Sequence, residues 1–323
     1  VPSDTWIDWD ATTQKFITVG EKFPDGLIAN TRTVVYYPSD LYDTVTWHDG
    51  SPLSAADFVM NMIQVFDAAK PESAIYDEAT VGSTEGFQSH FRGVRIISTN
   101  PLVIETYDDA YLLDAELIVS QNQVYPNPTW WPQYAYGEGA WHSLALGILA
   151  ETNSELAFST DKAGALEVEW MSLVSGPSLE ILKKYLDQAK GENYIPYAAT
   201  LGEYISTDDV AARYNNLESF YGEHNHFWVN TGPFFLDQVF PVEGTLTLKR
   251  YEAYPDMADK WSRFSEAKVA DVEVDGAGTV AIGSEAVFDA FVSFKDAAYP
   301  NAEISEVKFL LFDANGALVT SGE

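Results

Sequence analysis

Val45-Thr46-Trp47-His48-Asp49-Gly50-Ser51-Pro52-Leu53-Ser54-Ala55-Ala56-Asp57-Phe58-Val59 is the stretch whose reading decides the fold. It predicts a strand ending at Trp47, a turn at Asp49-Gly50 and a helix opening at Ser54. Glycine accepts positive φ without a steric penalty, which suits Gly50 to the turn. Ser54 is a helix-capping residue, and Asp57 puts a negative charge beside the unpaired amides of the first turn. Val59, Met62, Ile63 and Phe66 then recur at helical spacing and predict a buried stripe, which Lys70-Pro71 brings to an end.

Residues 1 to 50 read as β-rich. Lys15 to Val19 and Thr31 to Tyr37 are strand candidates, separated by the turn-forming Pro24-Asp25-Gly26. Phe91 to Ile97 and Leu102 to Tyr107 predict a hairpin around Ser98-Thr99-Asn100-Pro101. Gln121 to His142 is crowded with aromatics and broken by Pro and Gly, so it reads as a loop. Leu179, Leu182, Leu186 and Ala189 mark a helix that starts after Gly176-Pro177 and stops at Gly191. Another opens at Ser206, carries Val210, Tyr214, Leu217 and Tyr221 on one face, and stops at Gly222. A strand pattern follows from Thr245 to Tyr251.

Composition narrows the function classes. The chain has 323 residues with 49 acids against 18 bases, a formal charge of −31. Such a surface repels nucleic acid and anionic membrane. No cysteine is present, so disulfides, thiolate zinc sites and thiol catalysis are excluded. The longest apolar run, Leu144 to Ala150, falls far short of the ~20 residues of a membrane span.

The opening string resembles the signature of the family 5 extracellular solute-binding proteins of ABC importers. These carry an aromatic residue, an acid-Gly turn, a small-residue stretch with Leu, then an acid and a hydrophobic pair. Trp47, Asp49, Gly50 and Asp57 take those places. A second string, Asn230-Thr231-Gly232-Pro233-Phe234, resembles the family's Gly-Thr-Gly-Pro-aromatic segment, with Asn230 where the first Gly stands. Lys249-Arg250-Tyr251-Glu252-Ala253-Tyr254 follows as the family's strand and Tyr-containing turn do, without the usual Asn-Pro. The resemblance makes Thr231, Gly232 and Pro233, like the first string, fold-determining rather than ligand-touching. It implies an α+β or mixed α/β fold: a partial, type II-like periplasmic-binding-protein lobe over residues 1–266. It also implies that the chain is part of a longer receptor, because family members have a substantial segment before the first string.

Residues 267–323 read differently. Val272 to Val274, Ala286 to Phe294 and Val307 to Phe312 are strand candidates, and Asp313-Ala314-Asn315-Gly316 is a hairpin turn. Alternation along Phe288, Ala290, Val292 and Phe294 suits an immunoglobulin-like β-sandwich. That sandwich is expected to be incomplete, since such a domain needs about 100 residues.

Chemistry-bearing motifs are few. Gly-x-Ser-x-Gly, His-Glu-x-x-His and phosphate-cradling loops are absent from the sequence. Asp271-Val272-Glu273-Val274-Asp275-Gly276 imitates the start of a calcium loop, but its twelfth position is Ile282, and the strand reading is better. His224-x-His226 has metal-ligand spacing with only Glu223 beside it, and the expectation is no metal and no cofactor. The candidate ligand-binding rings are Tyr125, Trp130, Trp131, Tyr134, Tyr136 and Trp141, whose faces suit sugars or peptide side chains; packing of the loop explains them equally well.

By the resemblance, the chain is a non-catalytic receptor. It captures a peptide or an oligosaccharide outside the cytoplasmic membrane, as a monomer and often lipid-tethered, and delivers it to permease subunits. The alternatives are a secreted carbohydrate-active enzyme with an accessory β-sandwich, and a cell-surface adhesion module.

Overall fold

The computed structural model describes residues 1–111, 113–114, 139–262, 269–281 and 283–322. The chain is mixed α and β, with several small, mainly antiparallel sheets. It divides into two compact units, Val1–Asp256 and Met257–Glu323, against the division at 266/267 expected from sequence.

In the first unit, β1 (Trp6–Asp10), β2 (Lys15–Thr18), β3 (Thr31–Tyr36), β4 (Phe91–Thr99) and β5 (Leu102–Asp108) form one sheet in the order β2-β1-β4-β5-β3. Every pairing within it is antiparallel. The core is built around α1 (Ala55–Asp67). Val59, Met60, Met62 and Ile63 are all fully enclosed, so the helix is buried well beyond the single stripe its periodicity predicts. Each such side chain contributes about 1.5–3 kcal/mol relative to exposure. Ser54 and Asp57 form a reciprocal capping box at its start. At its other end the buried Asp67 accepts from Trp9 Nε1 (2.8 Å), Tyr197 Oη (2.8 Å) and Ser73 Oγ (2.5 Å). Burial pushes the Asp67 pKa up, against the pull of those donors.

The other long helices are α2 (Glu78–His90), α3 (Trp141–Thr152), α4 (Ser178–Glu192) and α5 (Thr207–His224); α2, α3 and α5 contact α1, and α4 packs on α3 and α5. The run Leu144 to Ala150 lies within the buried α3. Trp141 and His142 open that helix rather than closing a loop. α4 and α5 run past Gly191 and Gly222, the stops expected from sequence. Each ends instead at an asparagine in the left-handed conformation, Asn193 (φ 50°) and Asn225 (φ 58°), which the short polar side chain tolerates. The strand expected to end at Trp47 is only a single bridge between Thr46 and Pro52. β6 (Leu156–Ala157) pairs in parallel with β7 (Glu169–Trp170), and β8 (Phe234–Phe240) forms an antiparallel hairpin with β9 (Thr245–Arg250).

The second unit holds β10 (Asp271–Gly276), β11 (Phe288–Phe294) and β12 (Ala297–Ala298) in one sheet, and β13 (Phe309–Phe312) with β14 (Leu318–Gly322) in another. The calcium-loop look-alike is therefore strand β10. Gly316 closes the expected turn with φ 81°, and Asp313 N–H donates to Ala317 O at 2.9 Å. None of the described residues of this unit is buried. Phe288 and Phe291, on opposite faces of β11, are both 59% exposed, so the alternation gives no enclosed face here.

Gly93 sits at a register shift in β4 with φ 133°, where a Cβ would overlap the Thr5 methyl and approach Trp6 O to 3.1 Å. Gly93→Ala is expected to lower stability by about 1–3 kcal/mol, read as a lower urea midpoint. An unchanged midpoint would mean that β1 and β4 do not pack this closely.

Candidate functional site

The first signature string is organised by one carboxylate. Asp57 Oδ1 accepts from Trp141 N (3.0 Å) and Arg213 Nη1 (3.2 Å). Its Oδ2 accepts from Arg213 Nη2 (2.9 Å), Ser54 N (2.9 Å) and Trp47 Nε1 (3.2 Å). The turn joins the same knot through Asp49. Its Oδ2 lies 2.7 Å from His142 Nε2, and its Oδ1 accepts from Ser51 N at 2.9 Å. Arg213 Nη1 is 3.2 Å from His142 Nδ1. Arg213 can only donate, so Nδ1 is the accepting nitrogen and Nε2–H donates to Asp49. Burial alone would raise the Asp49 pKa, but His142, the Ser51 amide and Arg213 outweigh it and hold the carboxyl below its ordinary value.

An Asp–His pair invites an acid–base reading. Here the second imidazole nitrogen faces a guanidinium rather than a hydroxyl, and the Asp49 and His142 side chains are both sealed from solvent. The pair is placed to lock the turn onto α3 and α5, and no substrate atom can reach it. Gly50, at φ 84°, lets the chain double back so that Gly50 N–H reaches Trp47 O at 2.8 Å.

The two signature strings meet. His48 N–H donates to Asn230 O at 2.7 Å, and His48 Nε2 donates to Gly232 O at 2.9 Å. Tyr251 Oη donates to Trp47 O (2.9 Å) and lies 2.7 Å from Thr46 Oγ1, while Tyr251 N–H donates to Pro233 O (2.8 Å). Thr231 is buried within this junction. Asn230 has its own local role: its Oδ1 accepts from the amides of both Thr231 and Gly232, tying the turn that precedes β8.

Past this junction the β8–β9 hairpin walls an apolar cavity of about 560 Å³, lined by Trp170, Met171, Leu173, Trp228, Leu236 and Leu248 among others. Leu236 pairs with Leu248 and Val239 with Leu246; the two leucines alternate along β9, and a register shift after Leu236 in β8 brings Val239 opposite Leu246, so all four line the cavity. Trp170 Nε1 donates to Phe158 O at 3.0 Å, so its indole offers the cavity a face rather than its N–H. Cavities of this size and lining suit apolar groups of small ligands.

The rings expected to bind a ligand divide. Tyr125, Trp130, Trp131, Tyr134 and Tyr136 lie outside the described residues. Trp141 is 1% exposed, packed edge-on to Tyr214 and under the Arg213 guanidinium, and presents no face to solvent. His224 and His226 contact backbone carbonyls of β8, Asp237 O at 3.2 Å and Leu236 O at 2.9 Å. No cluster of metal-ligating side chains occurs among the described residues. Sequence reasoning missed Arg213 and the cavity. Arg213 had a signal: it stands between Val210 and Leu217 on the apolar face of α5, where a cation needs a buried acid. The cavity's only signal was the alternation of Leu246 and Leu248 along β9.

Compared with known proteins, the chain matches no family model, and no curated sequence matches it at a significant level.

Removing one partner of a buried ion pair strands the other charge. Arg213→Met is therefore expected to cost about 3–5 kcal/mol in urea unfolding, and the double variant Arg213→Met/Asp57→Leu to recover much of that loss. A single-variant loss below about 1 kcal/mol, the range of an exposed pair, would contradict the knot.

Proposed function

We propose that this chain is the solute-capturing component of an ABC importer, related to the family 5 receptors. It holds a peptide outside the cell membrane and passes it to permease subunits. In this reading Val1–Asp256 is part of a periplasmic-binding-protein-like lobe, and the strands of Met257–Glu323 belong to an immunoglobulin-like β-sandwich. The full receptor is tethered at the membrane surface. Among the described residues, no helix is long and apolar enough to cross a membrane.

The observation that carries the reading is the direct bonding of the two signature strings at His48, Asn230, Gly232 and Tyr251. Segments nearly two hundred residues apart (~184 between His48 and Gly232) form one junction, as the resemblance requires of fold-determining motifs. The cavity beside the junction favours peptide over oligosaccharide. Sugars need hydrogen-bonding groups around the ring edge, and among the described residues of this lining Ser172 is the one polar side chain apart from the Trp indoles.

Ligand that binds only the native state stabilises it by mass action, by about 2.7 kcal/mol at a hundredfold excess over Kd, and so raises its melting temperature. Peptides with bulky apolar side chains are expected to raise the melting temperature, and neutral oligosaccharides to leave it unchanged. Leu248→Asp, which puts a charge on an exposed wall of the cavity, should abolish the shift. No shift with either ligand class, or glycan turnover lost on mutating one acid, would sink the receptor reading.

A further inference from the structure

The chain has five histidines, and His48, His224 and His226 all meet the β8–β9 hairpin or the turn leading into it. Two of them are constrained to a single protonation pattern. A backbone carbonyl only accepts, so His48 Nε2 carries the hydrogen it gives to Gly232 O, and His226 Nε2 the one it gives to Leu236 O. The other nitrogen of His226 accepts from Trp228 N–H at 3.1 Å. The other nitrogen of His48 is buried with no hydrogen-bond partner. A proton added to His226 Nδ1 meets a second donor head-on. A proton added to His48 Nδ1 is buried with nothing to receive it.

The charges around these rings do not offset that penalty. Asp237, nearest to His226, is held by Lys249 Nζ at 2.8 Å and lies 3.3 Å from His224 Nδ1. Asp49, nearest to His48, is already committed to His142 and the Ser51 amide. Tyr251 stacks edge-on against His48 with its centroid 4.8 Å away, and its phenol pKa is raised by burial. Phe220 of α5 and Phe235 of β8 supply apolar ring contacts. His224 lies 3.8 Å from the exposed Glu223 and 3.3 Å from Asp237, and its ring centroid is 6.0 Å from that of His226, so charge on His224 adds to the penalty on a protonated His226.

We propose that the β8–β9 hairpin is an acid-released flap: protonation of His226 and His48 detaches it from the body and takes apart the apolar cavity it walls. Burial, in keeping with this, pushes the pKa of His226 down to about 4 from its ordinary 6.5 and lowers that of His48 as well. Both rings are neutral when the hairpin is docked and ordinary when it is free. The docked state therefore holds its full stability above about pH 6.5 and loses it as pH falls toward the docked pKa. Across that window the opening constant rises about tenfold per pH unit through His226, and His48, shifted in the same direction, steepens the rise. These hydrogen bonds hold the hairpin whether or not the cavity takes a peptide.

Hydrogen exchange on the full chain from pH 7.5 to 4.8, corrected for intrinsic rates, tests it. Protection over β8 and β9 is expected to fall at least tenfold per pH unit below about 6.5 while α3 stays protected. His226→Gln and His48→Gln keep an N–H donor and cannot take up a proton; each should make the profile shallower, and the double variant should flatten it. Wild-type imidazole nitrogen NMR reads the same device without a substitution, with both rings neutral Nε2–H at pH 6. Hairpin protection that does not change with pH would overturn the proposal. So would loss of protection in α3 at the same pH, a slope that survives both substitutions, or a docked ring titrating at 6.5.

Discussion

The Asp57 carboxylate, buried and bound bidentately by Arg213, is the constraint on which the first unit depends. Taking both charges out of water costs several kcal/mol per ion, and their attraction offsets this only if the remaining lone pairs are also filled. Here they are: Trp141 N, Ser54 N and Trp47 Nε1 complete the shell. Two donors come from the first string itself, while Trp141 and Arg213 come from α3 and α5. The carboxylate thus sets the entry to α1, the start of α3 and the depth at which α5 packs. Asp67 closes the other end of α1 on Trp9, Tyr197 and Ser73, so both ends of the most buried helix are held by carboxylates.

The knot also decides what the first string can do. With both of its aspartates engaged inward, it turns His48 and the Trp47 carbonyl toward its neighbour. His48 N–H and His48 Nε2 donate to Asn230 O and Gly232 O, and Trp47 O accepts from Tyr251 Oη. The hairpin that follows is held by short polar contacts on one side, while Leu246 and Leu248 stay 57% and 56% exposed on the other.

Much of the fold was legible along the chain because it is local. The capping box at Ser54 and Asp57, the turn at Gly50, the β4–β5 hairpin and the Asp313–Gly316 turn each depend on residues within a few positions. Helix ends were less legible. Gly191 and Gly222 lie on helices that continue past them, because a glycine only lowers propensity, whereas Asn193 and Asn225 actually adopt the left-handed conformation that stops them. In Met257–Glu323 strand positions followed from alternation, but burial did not, since alternation says which face could be covered and not what covers it.

By itself, then, the amino-acid order determined where most elements start, which faces are apolar, and that two short strings stand in a telling order. Tertiary structure alone decided that Arg213 fills the Asp57 site, that Trp141 is core rather than a ligand platform, and that three imidazoles gather on one hairpin. The physical reason is range. Capping, turns and periodicity act over a few residues, while a buried charge or a tautomer is set by whichever distant group the fold brings within about 3 Å.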